Sequence, residues 1–147
     1  MKRIKSSDIT RLRVQVMSLS RRFRREDRGD EGSWSRLLLL GAIERGGDNA
    51  TPSSLAAGEG LRSSNLAAAL RELERSGLIT RTPDGKDQRK VRVGLTSEGK
   101  RLLVESRARR EKWLAEAVEA SLTKEECAIL FAAGGLLERI ATYSEND

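Results

Sequence analysis

The apolar residues of this chain keep helical spacing almost throughout and change to a strand period at a single place. Ile9, Leu12, Val16, Leu19 and Phe23 recur at intervals of three and four, which puts them on one face of a helix. Asp8 is placed as its N-cap, and the run Gly29-Asp30-Glu31-Gly32 as its end. Ser33 is read as the start of a second helix carrying Trp34, Leu37, Leu38, Ala42 and Ile43, closed by Gly46-Gly47. Thr51 as N-cap and Pro52 in the first helical position open a short helix around Leu55-Ala56-Ala57. Gly58-Glu59-Gly60 breaks it. A further helix runs from about Ser63 to Ser76, with Leu66, Ala69, Leu70 and Leu73 on its buried face and Gly77 as its stop.

After Gly77 the period becomes two. Leu78 to Thr82 lead into the turn signal Pro83-Asp84-Gly85, and Val91, Val93 and Leu95 then alternate with Arg92 and Gly94. These runs predict a β-hairpin with a long, charged tip. Helical spacing returns after Thr96, with Leu102, Leu103, Trp113, Leu114, Ala117 and Val118. The capping box Thr123-x-x-Glu126 opens a last helix with Ile129, Leu130, Ala133, Leu136, Leu137 and Ile140 on one face. The expected fold is mainly α with a small β-hairpin (α+β), and the 147 residues suffice for one domain.

Two short helices joined by a Gly-containing turn and followed by a basic hairpin form a winged helix-turn-helix. In that arrangement the second helix enters the major groove of DNA. Burial of Leu66, Ala69, Leu70 and Leu73 leaves Ser64, Asn65, Ala68 and Arg71 on the opposite face, with Arg62 and Ser63 at its start. Asn can bond adenine through two hydrogen bonds, and Ser can meet base edges or phosphates. Thr51, Ser53 and Ser54 are the expected contacts of the first helix. The hairpin tip Lys86-Asp87-Gln88-Arg89-Lys90 has no apolar residue, and an Arg there suits a narrow, electronegative minor groove. The charge agrees. Residues 1–32 and 62–101 each hold ten Lys/Arg against five Asp/Glu, whereas 102–147 hold six against nine. The positive excess, +5 in each, therefore lies in two blocks, as in polyanion binders, and one block spans the recognition helix and wing.

Leu55-Ala56, Gly60-Leu61, Leu73-Glu74, Gly77-Leu78-Ile79, Arg81, Asp87-x-Arg89 and Leu95-Thr96-x-x-Gly99 resemble, in type and spacing, the DNA-binding core of the MarR family of bacterial transcription regulators. The resemblance covers residues 51–101, and the flanking helices are similar to that family's dimerisation region. It implies a homodimer on a pseudo-palindromic operator of double-stranded DNA, commonly a repressor relieved by a small-molecule effector. It also implies that Arg89 is the minor-groove residue of the wing tip and Asp87 its positioning partner. The winged region is expected at 33–96, with 1–32 and 97–147 as dimerisation helices of a single chain. Ile9, Leu12, Val16, Ile129, Leu136, Leu137 and Ile140 are the candidate dimer contacts. Gln88, Arg62, Ala68 and Glu59 depart from the family pattern. The short-chained recognition face shifts the expected affinity toward phosphate contacts and the wing.

The same composition excludes other classes. With no His there is no imidazole base, triad or metal site, and one Cys allows no internal disulfide. No acid–base pair converges, so no enzyme, cofactor or metal is expected. The longest apolar run, Leu37–Leu40, is far short of a membrane span, and the charged start lacks a signal-peptide stretch, so a cytoplasmic setting is expected. Gly58-x-Gly60 lacks the third Gly and the preceding strand of a dinucleotide fingerprint. Cys127 is read as a small semi-buried filler, with a redox-sensing regulator as the alternative; Glu125 and Glu126 disfavour its thiolate. Arg21-Arg22-Phe23-Arg24-Arg25 is read as a solvated helix end with Phe23 inward, DNA or anionic lipid being the other reading. Trp34 and Trp113 are candidates for an effector pocket, against ordinary core packing. The competing function is a basic winged module that binds RNA or a protein partner structurally.

Overall fold

A computed structural model of the chain describes residues 4–27, 31–59, 63–87 and 89–144. Along it run α1 (Ser6–Glu26), α2 (Glu31–Gly46), a 3-10 turn (Gly47–Asn49), α3 (Pro52–Glu59), α4 (Ser63–Arg75), strands β1 (Ile79–Pro83) and β2 (Val91–Leu95), α5 (Ser97–Ser121) and α6 (Lys124–Ala141). The fold is mainly helical, with β1 and β2 paired antiparallel in the register Ile79↔Leu95 to Pro83↔Val91. The chain divides into two compact units, 1–110 and 111–147.

The core of the first unit is aliphatic, as a chain with 3% aromatic residues requires. Leu37, Leu40 and Ile43 of α2 meet Leu55 of α3, Leu66, Leu70 and Leu73 of α4, Ile79 and Val93 of the hairpin and Leu103 of α5. Helix α4 has its buried residues at spacings of four and three, so one stripe is inside and the opposite stripe is free. Its end is specific. The Leu78 N–H donates to the Leu73 carbonyl at 2.9 Å and the Gly77 N–H to the Glu74 carbonyl at 3.0 Å, a Schellman pair. Gly77 sits at φ +73°, a conformation that costs Gly little and other residues much.

The hairpin is tied to the helices at both ends. The Val93 N–H donates to the Ala50 carbonyl at 2.9 Å, just before α3. The Thr96 N–H donates to the Leu78 carbonyl at 3.1 Å, and its hydroxyl donates to the Gly77 carbonyl at 2.6 Å. The same hydroxyl accepts the Gly99 N–H at 3.1 Å, which makes Thr96 the N-cap of α5.

Several boundaries differ from the sequence expectation. Lys5, not Asp8, is the N-cap of α1, without a side-chain cap bond; Asp8 lies in the first turn, where the helix dipole favours a carboxylate. The helix ends at Asp27, ahead of the glycine run, whose first two residues, 29 and 30, lie outside the described residues. Helix α2 begins at Glu31, so Ser33 is inside it. Gly58 does not break α3, which reaches Glu59. One Gly in a helix costs only about 1 kcal/mol, and buried Leu55 holds the segment in place. Pro83 pairs with Val91 at the end of β1 instead of starting the turn.

Arg21, Arg22, Arg24 and Arg25 are exposed and Phe23 half-buried. Asp27 was not foreseen as a core residue. Its side chain is 2% exposed, and its Oδ1 accepts the Ser106 hydroxyl at 2.7 Å and the Arg109 guanidinium at 3.0 Å. The end of α1 is thereby fixed to α5 through charge-assisted bonds. Arg107 of α5 also donates to Glu44 of α2 at 2.6 Å, and holds that carboxyl below its ordinary range.

In the second unit the capping box of α6 is complete. The Glu126 N–H donates to the Thr123 hydroxyl at 3.2 Å, and the Thr123 N–H to the Glu126 carboxylate at 2.9 Å. Thr123→Ala removes one of these bonds and is expected to lower stability by about 1 kcal/mol, measured by thermal denaturation followed by circular dichroism.

Candidate nucleic-acid interface

Three segments of the first unit supply the side chains. The exposed stripe of α4 presents Asn65, Ala68 and Arg71. Ser63 and Ser64 lie in the first turn of that helix, although their side chains, like the whole of Arg62 and Gln88, lie outside the described residues. Among the described residues no carboxylate pairs with Arg71. Beside it Arg81 of β1 donates through Nε to Glu74 at 2.9 Å, and Arg75 pairs with Glu72. The Arg81–Glu74 bond joins the wing to the recognition helix and fixes their mutual angle. It also keeps the Arg81 guanidinium firmly protonated.

At the start of α3 the Thr51 hydroxyl accepts the Ser54 N–H at 3.1 Å, while the Ser54 hydroxyl accepts the Thr51 N–H at 2.9 Å. The Ser54 hydroxyl is also within reach of the Asn49 and Thr51 carbonyls. Thr51 and Ser54 therefore serve the cap. Of the three residues expected to face a ligand here, exposed Ser53 alone has no internal partner for its hydroxyl among the described residues.

The wing tip is held by its two aspartates. The Asp84 N–H donates to the Lys90 carbonyl at 2.8 Å, closing the loop, and its Oδ1 accepts the Lys86 N–H at 3.0 Å. The Asp87 carboxylate accepts the Arg89 N–H at 3.0 Å, and its carbonyl accepts the Lys90 N–H at 2.9 Å. Asp87 thus orders the backbone of Arg89 by a side-chain turn. Lys86, Arg89 and Lys90 are exposed, and among the described residues no carboxylate neutralises Arg89. Between the start of α3 and the wing lies a groove of about 680 Å³, lined by Asn49, Ser53, Asp84, Arg89, Lys90 and Arg92 among others. Arg92 lines this groove and was not among the residues expected from the sequence. The alternation that turns Val93 inward also turns Arg92 outward, and that was the available signal.

The other candidates are dispersed. Trp34 is half-buried on α2, with the Arg110 guanidinium 5.2 Å from its ring centroid, a cation–π contact. Trp113 is half-buried on α5 in the second unit, and Cys127 half-buried in the first turn of α6. Ile9, Leu12 and Val16 of α1 are 54%, 39% and 46% exposed; Ile129, Leu136, Leu137 and Ile140 of α6 are 70%, 55%, 43% and 62% exposed. No described helix is long and apolar enough to cross a membrane. Among the described residues no group of three His, Cys, Asp or Glu could hold a metal ion.

The MarR family model matches residues 33–90. An uncharacterized HTH-type transcriptional regulator of Mycobacterium bovis is 32% identical over 126 residues, which cover 86% of this chain and 87% of that protein. The chain belongs to the MarR family. A solved transcriptional regulator protein of Pseudomonas aeruginosa superposes with a TM-score of 0.86 at 50% identity, covering 96% of this chain and 100% of that one. Streptococcus pneumoniae FabT, solved in complex with DNA, shares the fold with a TM-score of 0.58 at 23% identity over 73% of each chain. MarR proteins are transcriptional regulators and not enzymes. In MarR terms, β1 and β2 are the wing of the winged helix.

Proposed function

We propose that this MarR protein is a sequence-specific DNA-binding repressor, acting as a homodimer on a pseudo-palindromic operator and released by a small ligand. The observation that carries this reading is the coexistence, in one compact unit, of a recognition helix with an open polar stripe and a wing with uncommitted cations. Arg71, Arg89 and Lys90 have no internal carboxylate partner among the described residues, and the wing tip is fixed by four hydrogen bonds. A cation held in place but left unpaired is suited to a polyanion. The FabT–DNA complex supports the same use of the fold. The exposed apolar faces of α1 and α6 support a second copy as partner, since solvent is a costly environment for Ile129, Phe131 and Ile140. The half-buried Trp34 with its stacked Arg110 supports an aromatic or anionic effector.

Footprinting of the full chain on its own upstream region tests the reading. Two half-sites with centres about 10 bp apart are expected, with affinity falling steeply as salt rises. A single asymmetric half-site overturns the dimer, and a band that ignores operator sequence overturns specific readout. Asn65→Ala is expected to cut discrimination among operator variants by roughly tenfold, measured by competition gel shift. Unchanged discrimination removes Asn65 as a base reader.

A further inference from the structure

We infer that Arg92 is a further DNA-backbone contact, gripping a phosphate in the groove between α3 and the wing, and that Asp84 is the residue that positions it. The inference rests on the DNA-binding reading above. Arg92 is the second residue of β2, opposite Thr82, so its backbone is held by the strand pair and not by the tip. Its side chain is 41% exposed, and its guanidinium stands 3.2 Å from Asp84 Oδ1. The Asp84 side chain is only 16% exposed and is itself pinned by the Lys86 N–H. A carboxylate oxygen fixed by a backbone N–H and largely sheltered from water is a rigid anchor for one guanidinium nitrogen. Such a grip leaves the remaining N–H donors of the guanidinium pointing away from the carboxylate, since five donors cannot all meet one oxygen.

The groove determines what those donors meet. Arg89, Lys90 and Arg92 line it against Asp48 and Asp84, so it keeps a positive excess. Ser53 contributes an uncommitted hydroxyl from the opposite wall. In a winged helix-turn-helix the first helix crosses the sugar–phosphate backbone while the wing reaches the adjacent minor groove. A strand running from Ser53 to Arg89 therefore passes Arg92. The occupant that fits is a diester phosphate, which offers negative charge and acceptors without demanding a particular base. Asp84 is a positioning residue only. An anion facing DNA would otherwise weaken binding, and this predicts an unusual sign for its removal.

The test is fluorescence anisotropy of the full chain on a labelled mixed-sequence duplex of about 30 bp, titrated across a salt series. For Arg92→Ala the slope of log affinity against log salt is expected to become shallower by about 0.9 for each Arg92 that meets a phosphate. Arg92→Lys is expected to keep most of the slope, because the charge remains. Arg92→Gln, which keeps the side-chain stem, must match Arg92→Ala, and equal melting temperatures for both and the parent show that folding is not the cause. Asp84→Asn is expected to flatten the slope as Arg92→Ala does and to weaken binding, although it removes a negative charge. An unchanged slope in Arg92→Ala overturns the contact. Tighter binding or an unchanged slope in Asp84→Asn overturns the positioning role. A parent chain that binds no duplex overturns the DNA-binding reading itself, a result distinct from both.

Discussion

Gly99→Ala is expected to lower the melting temperature of the protein by roughly 5–10 °C, about 2–3 kcal/mol, in thermal denaturation followed by circular dichroism. A Cβ built on Gly99 lies 2.1 Å from the Leu78 carbonyl oxygen and 3.1 Å from its carbon. No rotamer relieves this, because both clashing groups are backbone. Nor can the chain retreat easily. The first turn of α5 is bound to Gly77 and Leu78 by both the N–H and the hydroxyl of Thr96, and the Leu78 N–H in turn closes α4. Retreat would break one of these bonds or open the wing–helix junction. Gly58→Ala serves as the control, since nothing stands within 4 Å of its added Cβ and Ala is the better helix former. It should leave the melting temperature unchanged or raise it. A Gly99→Ala protein that melts with the parent would show that the α4–wing–α5 junction is looser than these contacts require.

Arg89→Ala is expected to weaken operator binding by roughly tenfold to hundredfold in a gel shift, while melting with the parent. The side chain is exposed and makes no internal ion pair among the described residues, so its loss has little to destabilise. Its backbone, in contrast, is fixed by Asp87. Asp87→Ala should therefore also weaken binding, by freeing the tip, even though it makes the wing more basic. Full affinity in Arg89→Ala would remove the wing from the proposed interface and leave the recognition helix as the main contact.

The exposed stripe of α4 and several helix boundaries were legible in the sequence. The Leu66, Leu70 and Leu73 stripe oriented α4, and so placed Asn65, Ala68 and Arg71 outside by helical geometry alone. Gly77, Thr96 and the Thr123–Glu126 box marked their boundaries because caps and left-handed stops depend on residues next to each other in the chain. The missed features depend on groups far apart. Asp27 reads as one more charge at a helix end, yet it is buried because Ser106 and Arg109, some eighty positions later, meet it. Arg92 reads as the solvent side of a strand until Asp84 and the groove stand beside it.

By itself, then, the chain's pattern of apolar residues determined the order of helices, the hairpin and the face that α4 buries. Its charge blocks pointed to a polyanion, and the motifs from Leu55 to Gly99 carried the MarR likeness. Periodicity and capping are local, and a local interaction is written in neighbouring residues. Only the tertiary structure decided which polar groups remain free. A hydrogen bond or ion pair between distant residues forms when folding brings them within about 3 Å, and this distance has no counterpart in sequence spacing. Asp27 was engaged in that way, and among the described residues the side chains of Ser53, Arg71, Arg89 and Lys90 were left without an internal partner.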